Sequence, residues 1–82
     1  MEIKRDLRQR DIDAYFPLLR EIPVAELSAP EYAGQIVRAA AKVGMIPGLT
    51  PEQFDDMKPG EVVRLSKKIN EAVAEALTIP PD

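Results

Sequence analysis

"GEVVRLSKKINEAVAEAL", Gly60 to Leu77, is the strongest periodic stretch in the chain. Val62, Leu65, Ile69, Val73 and Ala76 recur at three- and four-residue spacing, so they share one side of a helix. Ala72 and Leu77 broaden that stripe, while Arg64, Lys67, Lys68, Glu71 and Glu75 lie elsewhere. Glu71 and Glu75 form a mildly unfavourable like-charge pair one turn apart, offset by Lys67 one turn before Glu71. Pro59 starts this helix, because its missing N–H falls where no intrahelical bond is made, and Glu61 suits the positive end of the helix dipole. An amphipathic helix of this kind needs a partner for its apolar side, and the rest of the chain supplies candidates.

Immediately upstream lies "GLTPEQFDDMKP", Gly48 to Pro59. Thr50 reads as an N-cap, Pro51 as the first helical residue and Gln53 as the third, a capping-box pattern. Glu52 sits in the first turn, and Phe54 and Met57 form a short apolar face. The pair Asp55 and Asp56 raises the question of a metal or acid–base site. Adjacent residues diverge by about 100° around a helix axis, so their carboxylates do not clasp one ion or share one proton. No further oxygen ligand follows at calcium-loop spacing. The pair reads as a solvated helix face, and Lys58-Pro59 ends the short helix because a residue before proline avoids the helical region.

Further upstream, "LSAPEYAGQIVRAAAKVG" (Leu27 to Gly44) reads as a second long helix. Ser28 and Glu31 make a capping box, Pro30 occupies the tolerant first turn, and Gly44 is placed to end the helix. Tyr32, Ile36, Ala40 and Val43 form its stripe, with Val37 and Ala39 beside it, and Ala39, Ala40 and Ala41 allow a neighbouring helix to come close. "RDIDAYFPLLREI" (Arg10 to Ile22) carries Ile12, Tyr15, Phe16, Leu19 and Ile22 at helical spacing. Pro17 interrupts it, which predicts a kink or break, and Pro23 closes the segment. Residues 1–8 read as an arm or a short edge strand, and residues 78–82 as an extended tail.

The predicted fold is therefore all-α: a small single-core domain of three to four helices with short loops punctuated by proline and glycine. At 82 residues the chain makes one domain that buries roughly 60–65% of its unfolded surface. Its stability margin is then about 3–5 kcal/mol, and such chains commonly lean on a partner or on self-association. With Tyr15, Phe16, Tyr32 and Phe54 the only aromatics, the core is expected to be aliphatic.

The chain contains no histidine and no cysteine, which removes the commonest general base, the commonest zinc ligand and thiolate chemistry together. No nucleophile–base pair can be assembled: Ser28 reads as a cap and Ser66 as a helix-surface hydroxyl. The isolated glycines make no phosphate loop. Neither serine has the Asp-Ser-Leu context in which carrier proteins bear a phosphopantetheine arm. No catalytic residue, cofactor or metal is expected. A net charge of −3 argues against nucleic-acid binding, so the clusters Arg5, Arg8, Arg10 and Arg64, Lys67, Lys68 read as solvated faces or partner salt bridges. No apolar run approaches the roughly 20 residues of a membrane span, no signal peptide opens the chain, and the absence of cysteine favours an intracellular setting.

From Asp11 to Leu77 the layout resembles the phage tail assembly chaperones, small proteins made beside the tape-measure protein of tailed phages. The likeness rests on "RDIDAYFPLLREI" and, more, on "LTPEQFDDMKPGEVVRLSKKINEAV" (Leu49 to Val73): a Leu-Thr-x-Glu helix start, a short helix, a proline-punctuated turn and a helix of the form x-Val-x-x-Leu. Family members often carry a longer β-rich N-terminal portion, for which only residues 1–8 are available here. The resemblance implies a non-catalytic chaperone in the cytoplasm of a bacterial host, binding the tape-measure or tail-tube protein during tail assembly. The alternative is a small interaction module, such as a phage-encoded inhibitor of a host enzyme. The expected contact surface is the proline-interrupted first helix, with Tyr15, Phe16, Leu18 and Leu19 as partner-binding residues, since one face cannot bury all four.

Overall fold

Four α-helices and one 3₁₀ turn succeed one another in a computed structural model that describes residues 2–78. They are α1 (Gln9–Arg20), the turn Val24–Glu26, α2 (Ala29–Lys42), α3 (Pro51–Asp56) and α4 (Pro59–Leu77). No strand occurs among the described residues, and the fold is all-α. The expected extended tail lies outside the described residues apart from Thr78, whose hydroxyl donates to the Ala74 carbonyl.

Helix starts follow local chemistry. The Ser28 hydroxyl accepts from the Glu31 N–H, and the Glu31 carboxylate accepts from the Ser28 N–H, each at 3.4 Å. Thr50 and Gln53 exchange the same pair of bonds at 3.0 and 3.1 Å. Each box satisfies donors that the first helical turn leaves orphaned. At α1 the Asp11 carboxylate accepts from the Arg8 N–H at 2.8 Å, and this bond, aided by Lys4, holds the carboxyl below its usual range.

The end of α2 places residues that periodicity alone does not. Gly44 adopts φ +82°, which an L side chain rarely tolerates. Its N–H donates to Ala41 at 3.1 Å, and the Met45 N–H donates back to Ala40 at 2.9 Å. This is the Schellman arrangement, in which the residue after the glycine folds back onto the last turn. Met45 and Ala40 are both 0% exposed, and Ile46 is buried beside them.

Three expectations about α1 and α4 need correction. Pro17 does not break α1, which runs unbroken from Gln9 to Arg20. The bond that proline cannot make would have gone to the carbonyl of Asp13. Asp13 and Pro17 are both exposed, so water can take that carbonyl. Ile12 and Tyr15 before the proline, and Leu18 and Leu19 after it, pack on the same core and support the helix on both sides of Pro17. In α4, Val62, Leu65, Ile69, Ala72 and Val73 are buried as their spacing predicts, but Ala76 is exposed and Leu77 is 55% exposed. Helix α2, its main partner, has 14 residues against 19 in α4, so α4 outruns the surface that covers it. Ser66, expected on the surface, is buried, and its hydroxyl donates to the Val63 carbonyl at 2.7 Å.

The core lies mainly between α2 and α4, with α1 packed on α2. Residues 2–8 form an arm and not an edge strand. A single backbone bond, Lys4 N–H to the Met45 carbonyl at 2.8 Å, ties it to the loop after α2, and Ile3 and Leu7 are half-buried against the core. The arm also brings Arg5 within 3.8 Å of Glu75, which gives that like-charged stretch an opposite charge. Both side chains are more than half exposed, so the pair contributes at most about 1 kcal/mol. The apolar anchors and the Lys4–Met45 bond are the stronger ties.

Candidate binding surface

The residues expected to meet a partner are not all available to one. Tyr15 is 1% exposed and belongs to the core, contrary to the expectation that it lies at the contact surface. Its ring is covered because α1 packs that face on α2. Its hydroxyl has no hydrogen-bond partner among the described residues, and burial, with a smaller push from Tyr32, raises the phenol to about 12. Phe16, Leu18 and Leu19 are half-buried against the core. Of the four, Leu18 lines an open groove.

That groove, of about 290 Å³, lies between the end of α1 and one flank of α2. Leu18, Ile22 and Pro23 form one wall, and Gln35, Ala39 and Lys42 the other. Val24, just beyond Pro23, is 55% exposed, so the apolar surface continues into the 3₁₀ turn.

A second groove, of about 320 Å³, opens on the opposite flank of α2, against α3. Its apolar part is Ala41, Leu49, Pro51 and Phe54. Phe54 lies against α2 at Gly34, where even an alanine Cβ would stand 3.9 Å from the tip of the ring, an ordinary van der Waals contact. One turn further along α2, the Arg38 guanidinium lies over the same ring, 4.8 Å from its centroid. This cation–π contact restrains the guanidinium beside the groove while Arg38 stays exposed. Lys42, one turn beyond Arg38, lines both grooves. Asp55 stands on the α3 rim, and Asp55 and Asp56 are both exposed.

Sequence reasoning named neither Arg38 nor Lys42, although their four-residue spacing puts them on one face of α2. The Phe54 contact was not legible, because it depends on how α3 turns back on α2. The basic clusters take different roles. Arg8 pairs with Asp6 at 2.9 Å and Arg5 with Glu75, whereas Arg64, Lys67 and Lys68 make no ion pair among the described residues. The arm sets Arg5 and Lys68 on one shallow surface with Glu2, so opposite charges mix there. No group of three or more potential metal-ligating side chains occurs among the described residues, and no described helix is long and apolar enough to cross a membrane.

Comparison with protein-family models, curated proteins and solved structures finds no match for this chain.

Proposed function

We propose that this chain is a non-catalytic phage or prophage tail assembly chaperone, which binds the tape-measure or tail-tube protein in the bacterial cytoplasm while the tail is built. The observation that carries the reading is the pair of open, partly apolar grooves flanking α2, in a chain whose sequence holds neither histidine nor cysteine. Grooves between helices take the apolar face of another helix, and a tape-measure protein presents long apolar helical stripes before the tube encloses it. The resemblance over Asp11 to Leu77 supports the same reading.

Co-expression with the tape-measure and major tail proteins of the same genome, followed by pull-down, tests it. Retention of either tail protein is the expected result. Retention of neither, with the chain folded, overturns the reading, and capture of a host enzyme instead would favour an inhibitor module.

A further inference from the structure

We propose that the groove between α2 and α3 recognises an acidic amphipathic helix of a partner protein, seating one bulky apolar side chain on Phe54 and Leu49 and one carboxylate on Arg38 and Lys42. The inference rests on the reading of the chain as a binding domain and adds which surface is used and which charge the partner carries.

Three observations converge on it. The first is size. About 320 Å³ is room for one large side chain and its neighbour, at the lower end of the roughly 300–1,000 Å³ of ligand sites. A helix lying across the groove would insert one anchor, not its whole face. The second is charge. In a protein of net charge −3, this groove carries two cations against the single carboxylate of Asp55. The ion pairs among the described residues are Lys4–Asp11, Arg5–Glu75 and Arg8–Asp6, so Arg38 and Lys42 are left uncommitted. The third is preorganisation. The Arg38 guanidinium lies over the Phe54 ring beside the apolar floor, so a carboxylate binding there meets a partly ordered side chain.

The arrangement also orients the partner. Both cations stand on α2 and Asp55 on α3, so the partner's acidic residue lies over α2 and a basic or neutral one over α3. Anchor and carboxylate must then be three or four residues apart, on one helical face.

The test is a selection of peptides from a random display library on the immobilised full chain, followed by fluorescence anisotropy with the enriched peptides. The expected consensus is Leu, Ile, Phe or Met with Asp or Glu three or four positions away. Affinity is expected to fall about tenfold or more in the double variant Arg38→Glu, Lys42→Glu, and to weaken with added salt. Both side chains line the open groove and neither belongs to the core, so that variant stays folded with a modest fall in melting temperature, from the lost Arg38–Phe54 contact and the negative charge in the last turn of α2; Phe54→Ala, which also touches the core, is a secondary check. No enrichment, a basic consensus, or equal affinity for the double variant overturns the inference, as does sedimentation showing a dimer of the parent that the double variant abolishes. A tail protein that binds parent and double variant equally sinks this groove while the chaperone reading stands. Acidic consensus peptides together with no tail-protein binding sink the chaperone reading alone.

Discussion

Replacing Ile69 by alanine removes three carbons from a side chain that is 0% exposed at the centre of α4. At about 0.8 kcal/mol per buried carbon, the lost transfer energy is roughly 2.4 kcal/mol. A residual void of about 45 Å³, at about 24 cal/mol per Å³, adds on the order of 1 kcal/mol. The expected destabilisation is therefore about 3.5 kcal/mol. An 82-residue chain has a total stability of about 4–12 kcal/mol, and a small unstapled core lies toward the lower end. The variant should accordingly melt at least about 14 °C below the parent, or not fold. Leu77→Ala, on the same helix but 55% exposed, should stay within about 0.5 kcal/mol of the parent. Urea unfolding followed by far-ultraviolet circular dichroism measures both. A parental midpoint and slope for Ile69→Ala, or an equal loss in the two variants, would refute the packing of α4 against α2.

Tyr15→Phe removes a buried hydroxyl that has no partner, so it should leave stability unchanged or raise it by up to about 1 kcal/mol; a loss beyond about 1 kcal/mol in thermal melts would mean that the hydroxyl is satisfied. The same phenol is raised to about 12 from an ordinary value near 10, so between those pH values the unfolded chain gives up its proton first. Stability then falls as pH rises through that window, by on the order of 1–2 kcal/mol, and the fall should be smaller in Tyr15→Phe, as parallel urea titrations at pH about 9 and 11.5 would show. Gly60→Ala, in α4 with nothing within 4 Å of where the alanine Cβ would stand, should stabilise by about 0.4–1 kcal/mol, whereas Gly44→Ala, at φ +82°, should cost about 1–2 kcal/mol; equal effects in chemical denaturation would contradict the Schellman end of α2. Asp55→Asn with Asp56→Asn should not abolish partner binding and should slightly tighten that of an acidic helix, since it removes negative charge from the groove rim, and calcium, magnesium or zinc should not raise the parent's melting temperature, since an ion held by the folded state alone would do so by mass action.

Features set by near neighbours along the chain are readable from the residues alone. Ser28 and Glu31, and Thr50 and Gln53, cap their helices through bonds spanning three residues, so their patterns are readable without knowing what packs where. Pro59 at the start of α4 and Gly44 beyond the end of α2 are legible for the same reason. The apolar spacing of α4 likewise identified Val62, Leu65, Ile69 and Val73 as core. Tertiary structure decided how far each stripe is covered. Ala76 and Leu77 continue the pattern yet have no surface to meet, and Met45 and Ile46 have no periodic signal yet are buried by the fold-back after Gly44. Met45 could have been anticipated from the rule that the residue after such a glycine packs on the last turn. The continuity of α1 through Pro17 was not legible in this way, because local sterics oppose it and only packing on both sides of the proline outweighs them. The groove of Arg38 and Phe54 is the furthest from the sequence: it joins residues on α2 and α3 whose meeting depends on the turn after Gly44, and no spacing within either helix encodes that approach.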